Sequence, residues 1–478
     1  MAGRLIDPEH PLPIYVQLKT LLRQEILSGR YGPGERLPTE HELCATHGIS
    51  RPPVSRALSE LAEEGVILRH RRRGTFVNPH WVGRQPGGKE VRVVVPDGPW
   101  EQQVRAAAPA DVTLNIATVA LEDLHRTLVH AVAEGRAPDV AVLDSVWVQE
   151  FATAGFLHPL DDLDPDWVRT EYEKDFVEPF VSANRRAGRP VAVQAEADVA
   201  GIWYRRADLD RAGCAIPQTW DALAQTLRAL ADRPHPLVLP AGSRAGETTT
   251  YCLLAMLASN GVAVLGPDAV TLDSSAAAEC LAFVRQLVDD GLVPTDAVGY
   301  ERGRPIRMLA HGEASLAFGG SYDAPALAAA ASVIKERLLH DFGFVAMPAG
   351  PRGTARALAG GMVYGIFKQA DNPGLAFRVL RALVSTSALA EMSRNTWQIA
   401  PRRSAIDLAA THEPFLQTTG SMLDAAMVRP ATAGYPRVSA QIQAMLEAVI
   451  LHQLTPTAAV ARTAEHIAAI TGLPVRWG

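Results

Sequence analysis

The sequence predicts a small α+β head followed by a much larger α/β body. Residues 1–78 place apolar side chains at helical spacing in three segments and end in two short runs that favour strands. From residue 91 to residue 478, apolar runs typical of strands alternate with helical segments, which favours an α/β architecture with parallel-type sheets. Residues 79–90 contain Gly and Pro clusters without periodicity, so this stretch is predicted to be a linker.

The composition is that of an ordinary globular protein with more than one domain. The chain has 478 residues, of which 47% are hydrophobic and 21% are charged. Residues 1–80 contribute +2 to the net charge of −6 and the remainder contributes −8, a mild asymmetry that suits nucleic-acid contact at one end. The four cysteines are scattered without metal-ligand spacing, so we expect small buried thiols and no metal site.

The hydropathy of the chain bears on its location. The first residues lack the apolar core of a signal peptide, and no uncharged apolar run reaches the roughly 18 residues that a membrane span needs. We therefore expect a cytoplasmic protein that does not enter a membrane.

The head begins with two predicted helices. Residues 14–28 carry apolar side chains on one helical face, and Gly29 is a natural end for that helix. Thr39 opens a second, short helix, because Glu42 three residues later completes a capping box with it. Gly48 ends this second helix.

A third helix and a two-stranded wing complete the head. Ser50 is expected to cap this helix, whose two prolines fall in the first turn, where a missing N–H is harmless. Gly65 ends the helix, and strands are predicted over 66–69 and 74–77 with a basic tip between them. This order is that of a winged helix-turn-helix, which places the start of its third helix in the major groove of DNA.

The charges of the head suit contact with double-stranded DNA. The start of the third helix combines the positive end of the helix dipole with Arg side chains that can meet phosphates and guanine edges. A lone surface Arg is most often just solvated, but here the helix spacing, the caps and the wing agree. The residues expected to contact DNA are Arg36, Thr39, His41, Ser50, Arg51, Pro53, Ser55, Arg56, Arg72, Arg73, Gly74 and Thr75.

Three motifs of the head, PGERLPTE at 33–40, GISR at 48–51 and RGTFV at 73–77, resemble the GntR family of bacterial regulators. The resemblance extends over about 65 residues and implies operator contact by the start of the third helix and by the wing. The chain departs from the family at His41, where members commonly carry Arg. We expect a weaker or pH-dependent contact at this position.

The body shows no catalytic motif for acyl transfer, zinc proteolysis, dinucleotide binding or phosphate binding. An enzymatic alternative depends on Lys368, which lies shortly before Pro373-Gly-Leu. This arrangement loosely resembles the Schiff-base lysine of the aminotransferase-like domains that are fused to some GntR-type heads. An acidic pyridine partner and phosphate-holding donors are not found around it. We expect no enzyme activity and no cofactor, and this pyridoxal-phosphate hypothesis is the least favoured of the alternatives.

Four segments of the body occur in the order seen in family 1 extracellular solute-binding proteins: 133–144, 201–209, 217–223 and 312–322. The body resembles this family over about residues 91–478, although Arg205 stands where the family usually has Asn. The resemblance implies a type II periplasmic-binding-protein fold, with two α/β lobes joined by crossing strands around a ligand cleft. Members of the family deliver sugars to importers.

A sugar cleft needs aromatic faces for C–H surfaces and polar groups for hydroxyls. The residues expected to bind the ligand are Asp97, Trp100, Asp144, Trp147, Glu196, Ser321, Tyr322, Asp323, Gly360, Gly361 and Trp397. Trp100 is the weakest of the aromatic candidates. Tyr204 and Trp220 are expected in the hinge or core, and Trp167 and Trp477 at the surface.

Head and body together predict a ligand-responsive transcriptional regulator that binds an operator as a homodimer. The lobes are expected to sense a small molecule, a sugar or oligosaccharide, and to alter operator affinity; relief of repression is the commoner design. The main alternative is a carbohydrate-binding transport component with a vestigial head. The intact caps, the wing, Arg51 and Arg56 favour the regulator.

Overall fold

The protein is described here as a computed structural model, which covers residues 6, 13–27, 30–70, 73–79, 89–411, 413–424 and 426–476. It has two hydrophobic cores, one within the head and one within the body. Among these residues, none of the helices combines the length and the apolar character that a bilayer crossing requires. Cys252 and Cys280 are buried free thiols as expected, whereas Cys44 and Cys214 are partly exposed.

The head is the predicted winged helix-turn-helix. Its elements are α1 (Ile14–Leu27), α2 (Glu40–His47), α3 (Arg51–Glu63), β1 (Ile67–His70) and β2 (Gly74–Val77). Helix α1 packs along α3, and β1 pairs antiparallel with β2. Leu18 and Leu22 of α1 meet Leu58 and Leu61 of α3 in the fully buried core. The helix end predicted at Gly29 lies outside the described residues.

The two predicted helix caps differ in the structure. At Thr39 the capping box is confirmed: its N–H donates to Glu42 Oε2 at 2.7 Å, and its Oγ1 accepts from the Glu42 N–H at 3.2 Å. Ser50 occupies the N-cap of α3 with extended backbone, but its side chain makes no capping hydrogen bond. A capping side chain bonds the N–H of the second or third helical residue, and here these are Pro52 and Pro53, which have none.

The body is an α/β structure of two lobes. Its strands are β3 (Glu90–Pro96), β4 (Thr113–Val119), β5 (Val140–Asp144), β6 (Arg185–Arg186), β7 (Arg189–Pro190), β8 (Val193–Gln194), β9 (Asp198–Arg205), β10 (His235–Val238), β11 (Ala314–Gly320), β12 (Phe342–Ala346), β13 (Leu358–Gly360), β14 (Met362–Ile366) and β15 (Met427–Val428). Lobe one contains a sheet of order β4-β3-β5-β14-β8, and lobe two a sheet of order β10-β11-β9-β13-β15, with β12 also paired to β9.

Helices cover both sheets. They are α4 (Trp100–Ala107), α5 (Leu121–Ala133), α6 (Val148–Thr153), α7 (Pro165–Trp167), α8 (Glu173–Asp175), α9 (Glu178–Ala183), α10 (Arg206–Ala212), α11 (Trp220–Ala229), α12 (Glu247–Ser259), α13 (Ser275–Asp289), α14 (Arg304–Ala310), α15 (Ala324–Ala331), α16 (Lys335–Asp341), α17 (Pro373–Leu383), α18 (Thr386–Thr396), α19 (Arg403–Ala410), α20 (Pro414–Ser421), α21 (Tyr435–Ile450) and α22 (Pro456–Thr471).

The sheets are mixed, so the expectation of parallel-type sheets is only partly right. Strands β3, β4 and β5 are parallel, whereas β14 runs antiparallel to β5 and β9 runs antiparallel to β11 and β13. The strands β9 and β14 each follow directly on a segment that crosses between the lobes. Such a strand enters its sheet without the helical return that joins two neighbouring parallel strands.

The lobes are joined at short segments. Residues 195–197 link β8 of lobe one to β9 of lobe two, and Gly361 alone links β13 of lobe two to β14 of lobe one. Gly361 has φ +121°, and a Cβ there would lie 2.3 Å from the backbone oxygen of Glu196. The crossing therefore requires glycine at this position. A longer passage through α19 and α20 leads to β15.

The aromatic residues that were expected to have structural roles are mostly buried in the described part of the chain. Tyr204 lies in the core of lobe two, and Trp220 stacks on Phe283 with ring centroids 4.9 Å apart, as expected. The expectation of a surface position was wrong for Trp167, which is 3% exposed and stacks on Tyr172 at 5.7 Å. Its helical turn faces an aromatic cluster that the sequence pattern does not reveal. Trp477 lies outside the described residues.

Candidate functional site

The candidate DNA-binding surface of the head is built around the first turn of α3. Arg51 has a side chain that is 79% exposed, and its Nε donates to Glu40 Oε2 at 2.8 Å. Arg69 of β1 donates to the other oxygen of Glu40 at 2.6 Å. The hydrogen bond from Arg51, followed by the charges of both arginines, lowers the pKa of Glu40 despite its partial burial. Glu40 therefore orients Arg51 through Nε and leaves its terminal nitrogens facing outward.

Several predicted DNA contacts also have a role inside the head. The Thr39 hydroxyl belongs to the capping box, and the Arg56 guanidinium lies 3.8 Å over the ring of Tyr15. Gly74 has φ +114°, and a Cβ there would lie 2.9 Å from Nε of Arg36. These constraints make Thr39 and Arg56 less free to reach DNA than Arg51.

The remaining predicted DNA contacts are accessible. Arg36, His41, Ser50 and Arg73 are exposed, and Pro53, Ser55, Gly74 and Thr75 are partly exposed. Arg72 lies outside the described residues. Contact of this surface with an operator stays a prediction.

The candidate ligand site is a cavity of about 380 Å³ between the two lobes. Lobe one contributes the carboxyl ends of β3 and β5 and the starts of α4 and α5, and lobe two contributes the start of α12 and the turn after β11. In α/β folds ligands bind at such strand ends, because loops and helix N-termini converge there. The residues that line the cavity are Pro96, Asp97, Trp100, Leu121, Asp144, Trp147, Glu196, Asp198, Ala245, Glu247, Thr248, Tyr251, Arg302, Tyr322, Gly361, Met362, Gln398 and Arg429.

Seven of the residues expected to bind a ligand line this cavity: Asp97, Trp100, Asp144, Trp147, Glu196, Tyr322 and Gly361. Trp147 is partly exposed, and its ring makes an edge contact with that of His125 at 5.0 Å. Trp100 is 7% exposed and packs edge-on against Tyr364. This burial is consistent with the expectation that Trp100 is the weakest of the aromatic candidates for stacking on a ligand.

Four expected ligand residues lie outside the cavity. Ser321 accepts a hydrogen bond from the Val199 N–H at 3.1 Å, and Asp323 accepts one from the Gly320 N–H at 2.9 Å, so both side chains serve the turn after β11. The Gly360 backbone oxygen accepts a hydrogen bond from Gln194 Nε2 and borders a separate crevice.

Trp397, the fourth of these residues, is 8% exposed and has φ +62°. Its ring packs near that of Phe415, and the next residue, Gln398, lines the cavity instead.

An ion cluster that spans the cleft was missed by the sequence analysis. Arg429 follows β15 of lobe two, and it donates to Asp144 of lobe one at 2.9 Å and to Glu247 of lobe two at 3.0 Å. Glu247 also accepts from the hydroxyls of Tyr435 at 2.6 Å and Ser439 at 2.7 Å. Only 8% of the Arg429 side chain is exposed. The cluster ties the two walls of the cavity together.

Two further residues of the cavity that the sequence analysis did not single out are Asp198 and Tyr251. The Tyr251 hydroxyl donates to the Asp198 carboxylate and lies 2.8 Å from the Leu358 backbone oxygen. The Tyr251 ring stands 6.2 Å from that of Tyr322. Together these two rings form an aromatic wall on the lobe-two side of the cavity. A helix that starts at Glu247 and is buried on every face was the only available signal for this wall.

Glu196 is the carboxyl of the cavity that has no internal partner. Its side chain makes no hydrogen bond or ion pair within the described residues, although its backbone carbonyl accepts from Gln194. Burial, followed by the nearby Asp198 and Asp144 carboxylates, raises the pKa of Glu196 to about 8. At neutral pH Glu196 is therefore mostly protonated, and it can donate a hydrogen bond to an oxygen of a bound molecule.

Comparison with known proteins finds two family matches. Residues 95–390, more than half of the chain, match the family model of bacterial extracellular solute-binding proteins. Residues 14–77 match the model of bacterial regulatory proteins of the gntR family. Both parts of the sequence prediction are confirmed at this level.

Individual relatives match either the body or the head of the chain. A chain of Brucella abortus named as a binding protein is 27% identical over 326 residues, 64% of this chain and 74% of its own. The HTH-type transcriptional repressor NagR of Bacillus subtilis is 42% identical over 73 residues, 15% of this chain and 30% of its own.

Solved structures match the body. A solute-binding protein of Thermotoga lettingae bound with α-D-tagatose has a TM-score of 0.69 and 20% identity, covering 80% of this chain and 100% of that one. The maltose-bound MalE3 of T. maritima has a TM-score of 0.68 and 24% identity, covering 80% and 99%. These similarities support the two-lobed fold.

Proposed function

Because the chain belongs to the bacterial extracellular solute-binding protein family and carries a gntR-type head, we propose that it is a transcriptional regulator. Its head binds operator DNA, and its two lobes sense a sugar or oligosaccharide. The observation that carries the proposal is the cavity between the lobes, which is lined by the rings of Trp147, Tyr251 and Tyr322 and by several carboxyl groups. Such a lining suits a polyhydroxylated ligand, which has apolar C–H faces and a rim of hydroxyls.

We further propose that the regulator acts in the cytoplasm as a homodimer and that the ligand releases it from DNA. A winged head of this size reads one half-site, and a palindromic operator presents two. Regulation requires that the ligand bind the DNA-competent and DNA-incompetent states with affinities that differ by about 1–3 kcal/mol. We expect no catalytic activity and no cofactor in this function.

The test starts from the full-length protein and a random-sequence duplex library, from which binding sites are selected. Mono- and oligosaccharides, with maltose and tagatose among them, are screened by thermal shift, since a ligand of the folded state raises Tm. Operator affinity is then measured with and without the sugar that stabilises most. We expect at least about a fivefold weaker affinity with that sugar, and equal affinities would rule out the regulatory role.

The variant Arg51→Ala separates this proposal from a transport component with a vestigial head. Loss of an outward-facing guanidinium at the start of α3 should cost about 1–3 kcal/mol of operator affinity. A matched control is Arg30→Ala, since Arg30 pairs with Glu25 away from this surface. If Arg51→Ala binds DNA with the same affinity as the wild type and Arg30→Ala, the result favours a transport component with a vestigial head over the regulator.

The pyridoxal-phosphate alternative has no support in the site. Lys368 does not line the cleft cavity; it borders a small groove between the body and the head. A Schiff-base lysine must reach the substrate cavity, so its position argues against that chemistry.

A further inference from the structure

A buried cation of the head contacts lobe one. Lys19 of α1 is 3% exposed, and its Nζ lies 2.8 Å from Glu60 of α3 and 2.9 Å from Glu64, at the end of α3. The same Nζ lies 3.4 Å from the backbone oxygen of Glu134, at the end of α5 in lobe one. Lys19 therefore joins the recognition helix of the head to a helix of the sensing domain.

The lobe-one side of this contact is shaped for Lys19. Gly135 follows α5 with φ +70°, and a Cβ there would lie 3.4 Å from Cε and 3.5 Å from Nζ of Lys19. The end of a helix presents unpaired carbonyl groups and the negative end of the dipole, so it attracts an ammonium group. A buried ammonium is costly unless its acceptors stay in place, which makes this contact sensitive to movement of α5.

The other end of α5 lies at the cleft. Leu121, its first residue, lines the cavity, and its N–H donates to Asp97 at 3.1 Å. One turn further on, the His125 ring contacts Trp147, which also lines the cavity. At 13 residues the helix is about 20 Å long, since each residue adds 1.5 Å. It therefore spans the distance from the cleft to Lys19 as one rigid element.

A second connection reaches the same place. Strand β14 starts beside the Gly361 crossing, and shortly after its end Gln369 donates to the Val132 oxygen of α5 at 3.0 Å and accepts from the Ala137 N–H at 3.1 Å. The end of α5 is thus fixed to the strand that leaves the lobe crossing. Both α5 and β14 are therefore connected to the place where Lys19 meets lobe one.

We propose that the contact between Lys19 and the end of α5 couples the ligand cleft to the recognition helix. This inference rests on the proposed function and adds the route by which the two sites communicate. A ligand that draws Asp97 or Trp147 into new hydrogen bonds or stacking displaces α5, and Lys19 then redistributes between Glu134 and the two glutamates of α3. The orientation of α3 on the operator changes with it. The coupling is reciprocal, so DNA at the head also acts on α5.

The experiment measures hydrogen–deuterium exchange of the full-length protein, free and bound to the selected duplex. The reporting amides are those of Leu121 at the cleft and of Glu134, Gly135 and Arg136 at the end of α5, all hydrogen-bonded in the structure. We expect the duplex to change their exchange rates by about fivefold or more. We expect Lys19→Met to bind the duplex still and to show no such change.

Two further variants keep the result interpretable if Lys19→Met destabilises the head. Gly135→Asn replaces no charged residue of the head, and Asn tolerates positive φ, but its side chain lies against Lys19 at the contact with α5. We expect it to abolish the coupling as well. Arg30→Met removes a charge of the head that, among the described residues, pairs with Glu25 and lies over the ring of Tyr31. We expect this variant to retain the coupling.

The outcomes distinguish the two proposals. If the wild type selects no duplex, the proposed function fails, and the coupling fails with it. If the wild type binds the duplex but the α5 amides do not respond, the coupling alone is wrong. The coupling is also wrong if Lys19→Met and Gly135→Asn both respond as Arg30→Met does.

Discussion

Glu196 should make ligand affinity depend on pH. Burial, together with Asp198 and Asp144, raises its pKa to about 8, well above its ordinary value of 4.5. We expect the protonated carboxyl to donate a hydrogen bond to an oxygen of a neutral sugar. The affinity is then fully present below about pH 7 and is lost as the pH rises through the folded-state pKa.

The size of the effect follows from the pKa. If only the protonated form binds, the fraction of competent protein falls from about nine-tenths at pH 7 to about one-tenth at pH 9. The Kd should therefore rise about tenfold over this interval. Isothermal titration calorimetry at several pH values, with the sugar that stabilises most in the thermal-shift screen, measures it directly.

Glu196→Gln is the matched control, because the amide keeps a hydrogen-bond donor and cannot ionise. We expect this variant to bind at about pH 7 with affinity near that of the wild type and to show no rise in Kd toward pH 9. A wild-type Kd that falls over this range would refute the reasoning. Ionised Glu196 would then be the binding form, accepting a hydrogen bond from a donor of the ligand.

The same pKa shift affects stability in the absence of ligand. The folded state binds more protons than the unfolded state between the ordinary pKa of 4.5 and the folded value of about 8. The free energy of unfolding therefore falls as the pH rises through this window. Glu196→Gln should raise Tm at about pH 8 and leave it nearly unchanged at about pH 4, as calorimetry can show.

Two other changes test the architecture of the cleft. Gly361→Ala should lower the free energy of unfolding by about 1–3 kcal/mol in urea denaturation, because φ +121° and a contact of 2.3 Å with the Glu196 oxygen both oppose a side chain. Gly98→Ala, at an open position with φ +105°, isolates the cost of the conformation from that of the contact. Arg429→Met should cost about 3–5 kcal/mol, since Asp144 and Glu247 lose their shared cation. A loss below about 1 kcal/mol would mean that the cluster does not hold the lobes together.

The head could be predicted closely because its signals are local. The capping box at Thr39 depends on two residues three positions apart, and the structure contains it as expected. The side-chain cap at Ser50 failed for an equally local reason, since Pro52 and Pro53 remove both N–H donors. The uncapped Ser50 hydroxyl is thereby left free for a partner outside the head.

The cleft could be predicted only in part. Asp97 directly follows β3 and Asp144 ends β5, so their position at the carboxyl edge of the sheet could be predicted from the strand pattern. Arg429 meets Asp144 across 285 positions of sequence, through a passage between the lobes that no local pattern indicates. At the end of α18, Trp397 has φ +62° and lies outside the cavity, whereas Gln398 lines it, and a single left-handed residue of this kind leaves no periodic signal in the sequence.

The position of the head restricts how a signal can reach it. The described contacts of Lys19 with the body, and the groove beside it, involve lobe one, through Glu134, Gly135 and residues 368–371. A rigid closure of lobe two onto lobe one would leave these contacts unchanged. The coupling that we propose therefore requires a rearrangement within lobe one, where α5 and β14 begin at the cleft or the crossing and end near the head. Exchange rates that change in lobe two but not in α5 would contradict it.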